Sequence, residues 1–174
     1  YEPFKLTGDP NDPRFEVPNI GLKNAAQTAR LNERVALRRN LDGLRRDVDQ
    51  SGVMDAVDSF EAQALNLLTS SEAARAYDLS QEEPKLRERY GLNQWGQQCL
   101  MARRLVEAGV ELITTTFDGP LCGRVANWDD HAVNHHVFDA LKFRLPVFDQ
   151  AVTALIEDLY DRGLDRRVLL VVTG

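Results

Sequence analysis

The sequence has few cysteines and no long apolar run, and each shortage excludes a class of protein. Its two cysteines, Cys99 and Cys122, cannot build the disulfide framework of a small secreted domain, although they leave the redox compartment open. No stretch approaches the roughly 18 consecutive apolar residues of a membrane-spanning helix. Basic residues are in the minority, with 21 Lys and Arg against 27 Asp and Glu, which argues against a nucleic-acid partner.

Motifs of several common enzyme classes are missing as well. The chain has no Gly-rich phosphate loop, no Gly-x-Ser-x-Gly nucleophile elbow and no Cys-x-x-Cys pair. What is present is a chain of 174 residues that is 43% hydrophobic and 28% charged. That length and composition are sufficient for one domain with a sizeable buried core, and they exclude a disordered tail.

Composition divides the chain into three parts. Residues 1–24 are predicted to form an extended segment, because four of the seven prolines lie there and proline disfavours helix. Residues 25–92 are predicted to form a helical excursion, since apolar residues such as Leu37 and Leu41 recur at helical spacings. Residues 93–174 alternate between helical and strand-like composition.

The order of elements in this last part predicts the fold class. A helix from about 93 to 108 is followed by a strand over 110–117, a helix over 136–162 that Pro146 either starts or kinks, and a strand over 167–172. A strand, a crossover helix and a second strand form a βαβ unit, which implies a parallel sheet. We therefore expect an α/β fold in which 93–174 supply an αβαβ part of the sheet core.

The second predicted strand, 167–172, is followed only by Thr173 and Gly174. A buried parallel strand needs neighbours on both edges and cover on both faces. We therefore expect this chain to be a piece of a longer protein, to which any function mainly belongs.

All three histidines lie within six residues, in the loop after the first predicted strand. Residues 128–136 read Trp-Asp-Asp-His-Ala-Val-Asn-His-His. Ligand sites in open α/β sheets lie beyond the carboxyl ends of the strands, and carboxylate and imidazole together suit a divalent ion such as Zn²⁺. Asp129 and His131 can therefore aim at one ion. The alternative is a polar loop in which Asp129 or Asp130 caps the next helix and the histidines are solvated.

The two cysteines are weaker candidates for chemistry. Cys99 lies in an apolar helical stretch and is predicted to belong to the core, because a free cysteine behaves as a small hydrophobe. Cys122 lies in a loop, with no neighbouring residue that would activate its thiol.

Several motifs match one protein family in order and spacing. They are Asp9-Pro10, Phe15-x-Val17-Pro18-Asn19, Arg89-Tyr90-Gly91, Gly96-Gln97-x-Cys99-Leu100, Ala102 to Val110, Trp128-Asp129-x-His131 and Asp158-Leu159-x-x-Arg162-Gly163-Leu164. In these motifs the chain resembles the bacterial domain-of-unknown-function family numbered 1501, which is placed in the alkaline-phosphatase and sulfatase-like superfamily. The similarity spans nearly the whole chain.

The resemblance implies a partial alkaline-phosphatase-like domain over 1–174: a three-layer α/β/α sandwich with a mostly parallel sheet, to which the helical excursion is added. It implies a divalent metal ion as cofactor (Zn, Ca, Mg or Mn), with Asp129 and His131 as metal ligands. It implies a small anionic ester as substrate, so that the chain is a fragment of a metal-dependent hydrolase of phosphate or sulfate esters. Many members of the family are exported, which suggests an exported or periplasmic location.

The chain departs from the family pattern at Asp130, where members usually have Thr. It also lacks the flanking segments that supply most of the family's ligands, so we expect the isolated chain to be inactive. A non-catalytic binding module that uses the helical segment 25–78 as an interaction surface is the alternative function.

Overall fold

The computed structural model of this protein describes residues 4–17, 26, 29–37, 71–121, 124–126, 128 and 136–174. The chain divides into two compact units, one formed by Tyr1–Glu16 with Ala76–Gly174 and the other by Val17–Arg75. In the second unit, residues 29–37 form a helical segment (α1), in agreement with the helical pattern of the sequence. The rest of that pattern up to residue 70 lies outside the described residues, apart from the helical Ala26.

Helices also dominate the described residues that follow. The elements are α2 (Ser71–Ala76), a 3₁₀ turn (Leu79–Gln81), α3 (Pro84–Tyr90), α4 (Gln94–Glu107), β1 (Gly119–Leu121), β2 (Arg124–Ala126) and α5 (Val137–Asp161). The helices predicted over 93–108 and 136–162 are thereby confirmed. Pro146 lies well inside α5 and does not start it. No helix among the described residues combines the length and the apolar character that crossing a bilayer requires.

The corner between α3 and α4 is fixed by short-range contacts. Asn93 caps α4, since its side-chain oxygen accepts a hydrogen bond from the backbone N–H of Gly96 at 3.0 Å. A Cβ atom on residue 96 would lie 2.1 Å from the carbonyl oxygen of Tyr90, so the backbones approach too closely for any residue but glycine. The Gln97 amide donates to the Gly91 carbonyl at 2.9 Å, which satisfies an acceptor at the end of α3.

The main core forms where α4 packs against α5. Its buried members are Ala76, Leu79, Tyr90, Cys99, Leu100, Met101, Leu105, Ala151, Ala154, Leu155 and Leu159. The predicted core role of Cys99 is confirmed. Burial raises the pKa of its thiol to about 12, so the thiol stays protonated and unreactive at neutral pH.

One guanidinium group is buried inside this core. The side chain of Arg103 on α4 is 1% exposed, and its Nε lies 2.9 Å from Oδ2 of Asp158 on α5. Its Nη1 lies 2.6 Å from Oε2 of Glu107, and its Nη2 lies 3.0 Å from Oε1 of Glu82. A buried charge is costly unless partners compensate it, and here the partners come from three segments of the chain. Arg103 therefore ties α5 and the Glu82 segment to α4.

The expected parallel sheet does not occur in the part of the chain that the structure describes. β-structure there is limited to one antiparallel pair, β1 with β2, in which Gly119 is opposite Ala126 and Leu121 is opposite Arg124. The runs 110–117 and 167–172 form no strand. The predicted α/β class, with a three-layer α/β/α sandwich and a mostly parallel sheet, is therefore wrong. The described residues are mostly helical.

The physical reason lies in strand pairing. β-branched residues favour an extended backbone, but a strand also needs a neighbour for its N–H and C=O groups, and within the described residues neither run has a ladder partner. Val110, Ile113 and Phe117 pack against the helical core instead. Leu112 and Leu169 are 85% and 86% exposed. The strand prediction for both runs is therefore wrong, because composition carries no information about a pairing partner.

Replacing Asp158 by asparagine should destabilise the fold. Asp158→Asn replaces the carboxylate that faces the Arg103 guanidinium by a neutral amide. Removing one partner of a buried ion pair lowers the free energy of unfolding by about 3 kcal/mol. Urea unfolding of the variant and the wild type measures the difference. Asp161→Asn on the same helix is the matched control, because the Asp161 side chain is 68% exposed and lies 3.4 Å from Arg89. We expect a loss below about 1 kcal/mol for the control; equal losses would contradict the assignment.

Stability should also depend on pH through this carboxylate. Burial raises the pKa of Asp158, but hydrogen bonds from Arg162 and Tyr90 and the charge of Arg103 outweigh it and hold the pKa below the ordinary 3.8. The stabilisation is complete above the unfolded pKa and is lost as the pH falls through the lower folded value. The free energy of unfolding should therefore drop below about pH 4, and drop less in Asp158→Asn. Urea unfolding across that range tests this, and parallel curves would contradict it.

Candidate functional site

Aromatic rings surround the first residue of the predicted metal-binding motif. Trp128 stacks with Trp95 of α4, their ring centres 5.7 Å apart and their planes 20° apart. Trp95 is fully buried and also stacks with Phe117 at 5.2 Å and 7°. Phe148 of α5 meets Phe117 and Trp128 edge-on, at 5.4 and 6.1 Å. We call these four residues the aromatic stack. Stacked and edge-on arrangements are both favourable for aromatic pairs.

The β-hairpin returns the chain to this stack. β1 and β2 lie between Phe117 and Trp128 in the sequence and pair antiparallel, with Gly119 opposite Ala126. The indole Nε1 of Trp128 donates a hydrogen bond to the Phe117 carbonyl oxygen at 2.6 Å. Gly119 begins β1 at a φ of +90°, a backbone conformation that favours glycine. The motif therefore begins at a residue whose side chain is hydrogen-bonded to the backbone of Phe117, at the end of the run 110–117.

A second buried guanidinium group lies beneath Trp128. The side chain of Arg144 on α5 is fully buried, and its Cζ is 5.7 Å from the centre of the Trp128 ring. That separation is within the range of a cation–π interaction, for which tryptophan is the strongest partner. Trp128 itself is 45% exposed. It is thus held by a cation, an aromatic ring and a hydrogen bond while part of its surface faces solvent.

The predicted metal ligands themselves, Asp129 and His131, lie outside the described residues, as do Asp130 and Cys122. Their assignment stays a prediction. Of the histidines, the structure describes His136, which is exposed, precedes the first residue of α5 and has its ring centre 5.4 Å from that of Phe138. Among the described residues, no group of three or more His, Cys, Asp or Glu side chains is arranged to hold a metal ion.

Sequence reasoning missed Arg144, although a signal was present. Ala140, Arg144, Val147 and Ala151 follow one another at spacings of four, three and four, which places them on one face of a helix. Ala140 and Ala151 are buried, so Arg144 interrupts an otherwise apolar stripe. A charged residue in such a stripe needs a specific partner, and here the ring of Trp128 is one.

Replacing Trp128 by phenylalanine should weaken the fold modestly. The variant keeps an aromatic ring but loses the N–H donor to the Phe117 carbonyl, and the loss of one such hydrogen bond costs about 1 kcal/mol. Urea unfolding measures the change. Tyr160→Phe is the control, since it also removes one polar atom, from a ring that is 66% exposed. A Trp128→Phe variant as stable as this control would show that the hydrogen bond contributes nothing.

Comparison with known proteins gives one positive finding. A family model described as "Protein of unknown function (DUF1501)" matches residues 1–174. No curated protein and no solved structure matches the chain. Because the family match covers the whole chain, this protein belongs to the DUF1501 family of proteins of unknown function.

Proposed function

We propose that this chain supplies part of a divalent-metal site in a hydrolase of phosphate or sulfate esters, with Asp129 and His131 as metal ligands. The support for this activity is the resemblance of Trp128-Asp129-x-His131 to the corresponding family motif, together with the placement of its first residue. The substrate would be a small anionic ester, and the ion would be Zn²⁺, Ca²⁺, Mg²⁺ or Mn²⁺.

The observation that carries this proposal is the fixed position of Trp128. Its ring is stacked on Trp95 and its N–H is bonded to the Phe117 carbonyl at 2.6 Å. Asp129 is one peptide bond from Trp128 and His131 is three, so covalent geometry keeps both residues close to it. Binding groups on a short loop that starts from a rigid scaffold are typical of functional sites. A solvated helix-entry loop would not need an anchor made by two helices and a hairpin.

The donor set suits a divalent cation. A carboxylate oxygen and an imidazole nitrogen are both common ligands of Zn²⁺, while Ca²⁺ and Mg²⁺ prefer the oxygen. Two side chains do not complete a site of four or more ligands, and the described residues hold no other cluster of metal-binding groups. The remaining ligands would therefore come from residues outside the described part.

The chemistry divides between the ion and the chain. A bound divalent ion would polarise the ester and stabilise the negative charge that develops in the transition state. Asp129 and His131 would hold that ion. Trp128 would set the start of their loop, and its partly exposed ring would border the site on one side.

Removing both proposed ligands should abolish metal binding and leave the fold intact. In the full-length protein, Asp129→Asn combined with His131→Ala should lower the retained Zn, Mn, Ca or Mg by at least one equivalent, measured by elemental analysis after gel filtration. Hydrolysis of aryl phosphate and aryl sulfate esters should be lost in parallel. Far-UV circular dichroism should be unchanged, because both residues are predicted to lie in a loop.

His136→Ala is the matched control. It removes one imidazole of the same cluster from an exposed position that the motif does not include, so metal content and hydrolysis should match the wild type. If the double variant keeps its metal and its activity, the site assignment is wrong. If the wild type holds no metal and hydrolyses neither ester, the result favours the binding-module alternative.

A further inference from the structure

Arg144 has an environment that a surface arginine does not have. Its side chain is 1% exposed although it lies on α5, a helix whose neighbouring positions Lys142 and Leu145 are exposed. Removing a guanidinium from water is unfavourable unless its new surroundings compensate the charge. A buried arginine at this position therefore indicates a specific interaction.

The ring of Trp128 provides part of that compensation. The guanidinium carbon lies 5.7 Å from the ring centre, and burial strengthens a cation–π contact because the cation is desolvated. A planar guanidinium suits an aromatic face better than the compact, strongly hydrated ammonium of lysine does. The contact joins the middle of α5 to the residue that begins the Trp-Asp-x-His motif.

Trp128 is thus restrained from separate directions. Trp95 of α4 stacks on its ring, Phe148 of α5 meets it edge-on, and the Phe117 carbonyl accepts its N–H. Aromatic contacts tolerate some sliding of the rings, whereas a charged group held under the ring favours a position over the ring face. Arg144 is the charged member of this set.

We infer that Arg144 is a positioning residue: it fixes the Trp128 ring on the aromatic stack and, through the Trp128 backbone, orients the residues that follow. This inference rests on the proposed function for its consequence, which is tighter metal binding by the Asp129 and His131 segment. Arg144 is buried and contacts the Trp128 ring, so we assign it a positioning role through Trp128 and no catalytic one.

A double-mutant cycle in the full-length protein tests the inference. Dissociation constants for Zn²⁺ and Mn²⁺ are measured for the wild type, Arg144→Met, Trp128→Phe and the combined variant. We expect Arg144→Met to weaken binding about tenfold, in the range seen when groups that orient metal ligands are removed. Arg144→Lys should restore part of the loss because it keeps the charge. In the Trp128→Phe background, Arg144→Met should have a clearly smaller effect.

Lys142→Met is the matched control, because it removes a cation two residues away on the same helix, from a side chain that is 77% exposed and paired with Asp139 at 3.1 Å. Its metal affinity should equal that of the wild type. If Arg144→Met also equals the wild type, or weakens binding equally in both Trp128 backgrounds, the inference is overturned. If Arg144→Met fails to fold by far-UV circular dichroism, the same comparisons are made with Arg144→Lys.

A second measurement separates failure of the inference from failure of the proposed function. The stacked rings of Trp95 and Trp128, the two tryptophans of the chain, should give a near-UV circular dichroism signal that Arg144→Met reduces and Lys142→Met preserves. If the wild type binds neither of these ions and elemental analysis finds no bound Ca or Mg, the proposed function fails and this signal decides whether Arg144 positions Trp128. An unchanged signal in Arg144→Met overturns the inference.

Discussion

The buried guanidinium of Arg103 is the interaction on which the rest of the described fold depends. Its acidic partners lie on α4, on α5 and in the segment before α3, so the group can be desolvated only when those segments are together. Tyr90 adds a hydrogen bond to Asp158 at 2.8 Å, and Arg162 adds another at 2.8 Å. A polar network of this kind is specific as well as stabilising, because a shifted packing of α4 on α5 would leave charges without partners.

The position of the candidate site follows from that packing. Trp95 is on α4 and Arg144 and Phe148 are on α5, so the surface that receives Trp128 exists only when the two helices are in register. The antiparallel pair of β1 and β2 lies between Phe117 and Trp128 in the sequence, and the Trp128 indole donates a hydrogen bond to the Phe117 carbonyl oxygen. Two buried arginines therefore have distinct roles in one helix pair: Arg103 joins the helices, and Arg144 contacts the residue that begins the motif.

Local features were predictable from the sequence, and non-local ones were not. The bounds of α4 follow from the Asn93 cap and from an apolar period that the helix itself imposes, and neither depends on distant residues. The runs 110–117 and 167–172 have strand composition, but a ladder depends on a partner elsewhere in the chain, and composition carries no information about that partner. The aromatic stack could not be predicted for the same reason, because its four rings come from four separate places in the sequence.

By itself, the sequence determined the helices α4 and α5, the burial of Cys99 and the family. These depend on residue type and on spacing over a few positions, which the backbone geometry of a helix converts directly into a face or an end. The tertiary structure alone decided that strand-like segments remain unpaired among the described residues, that Arg103 and Arg144 are buried, and that Trp128 rests on Trp95 and Phe117. Those outcomes are set by the free energy of contacts between residues far apart in the chain, which no short stretch of sequence contains.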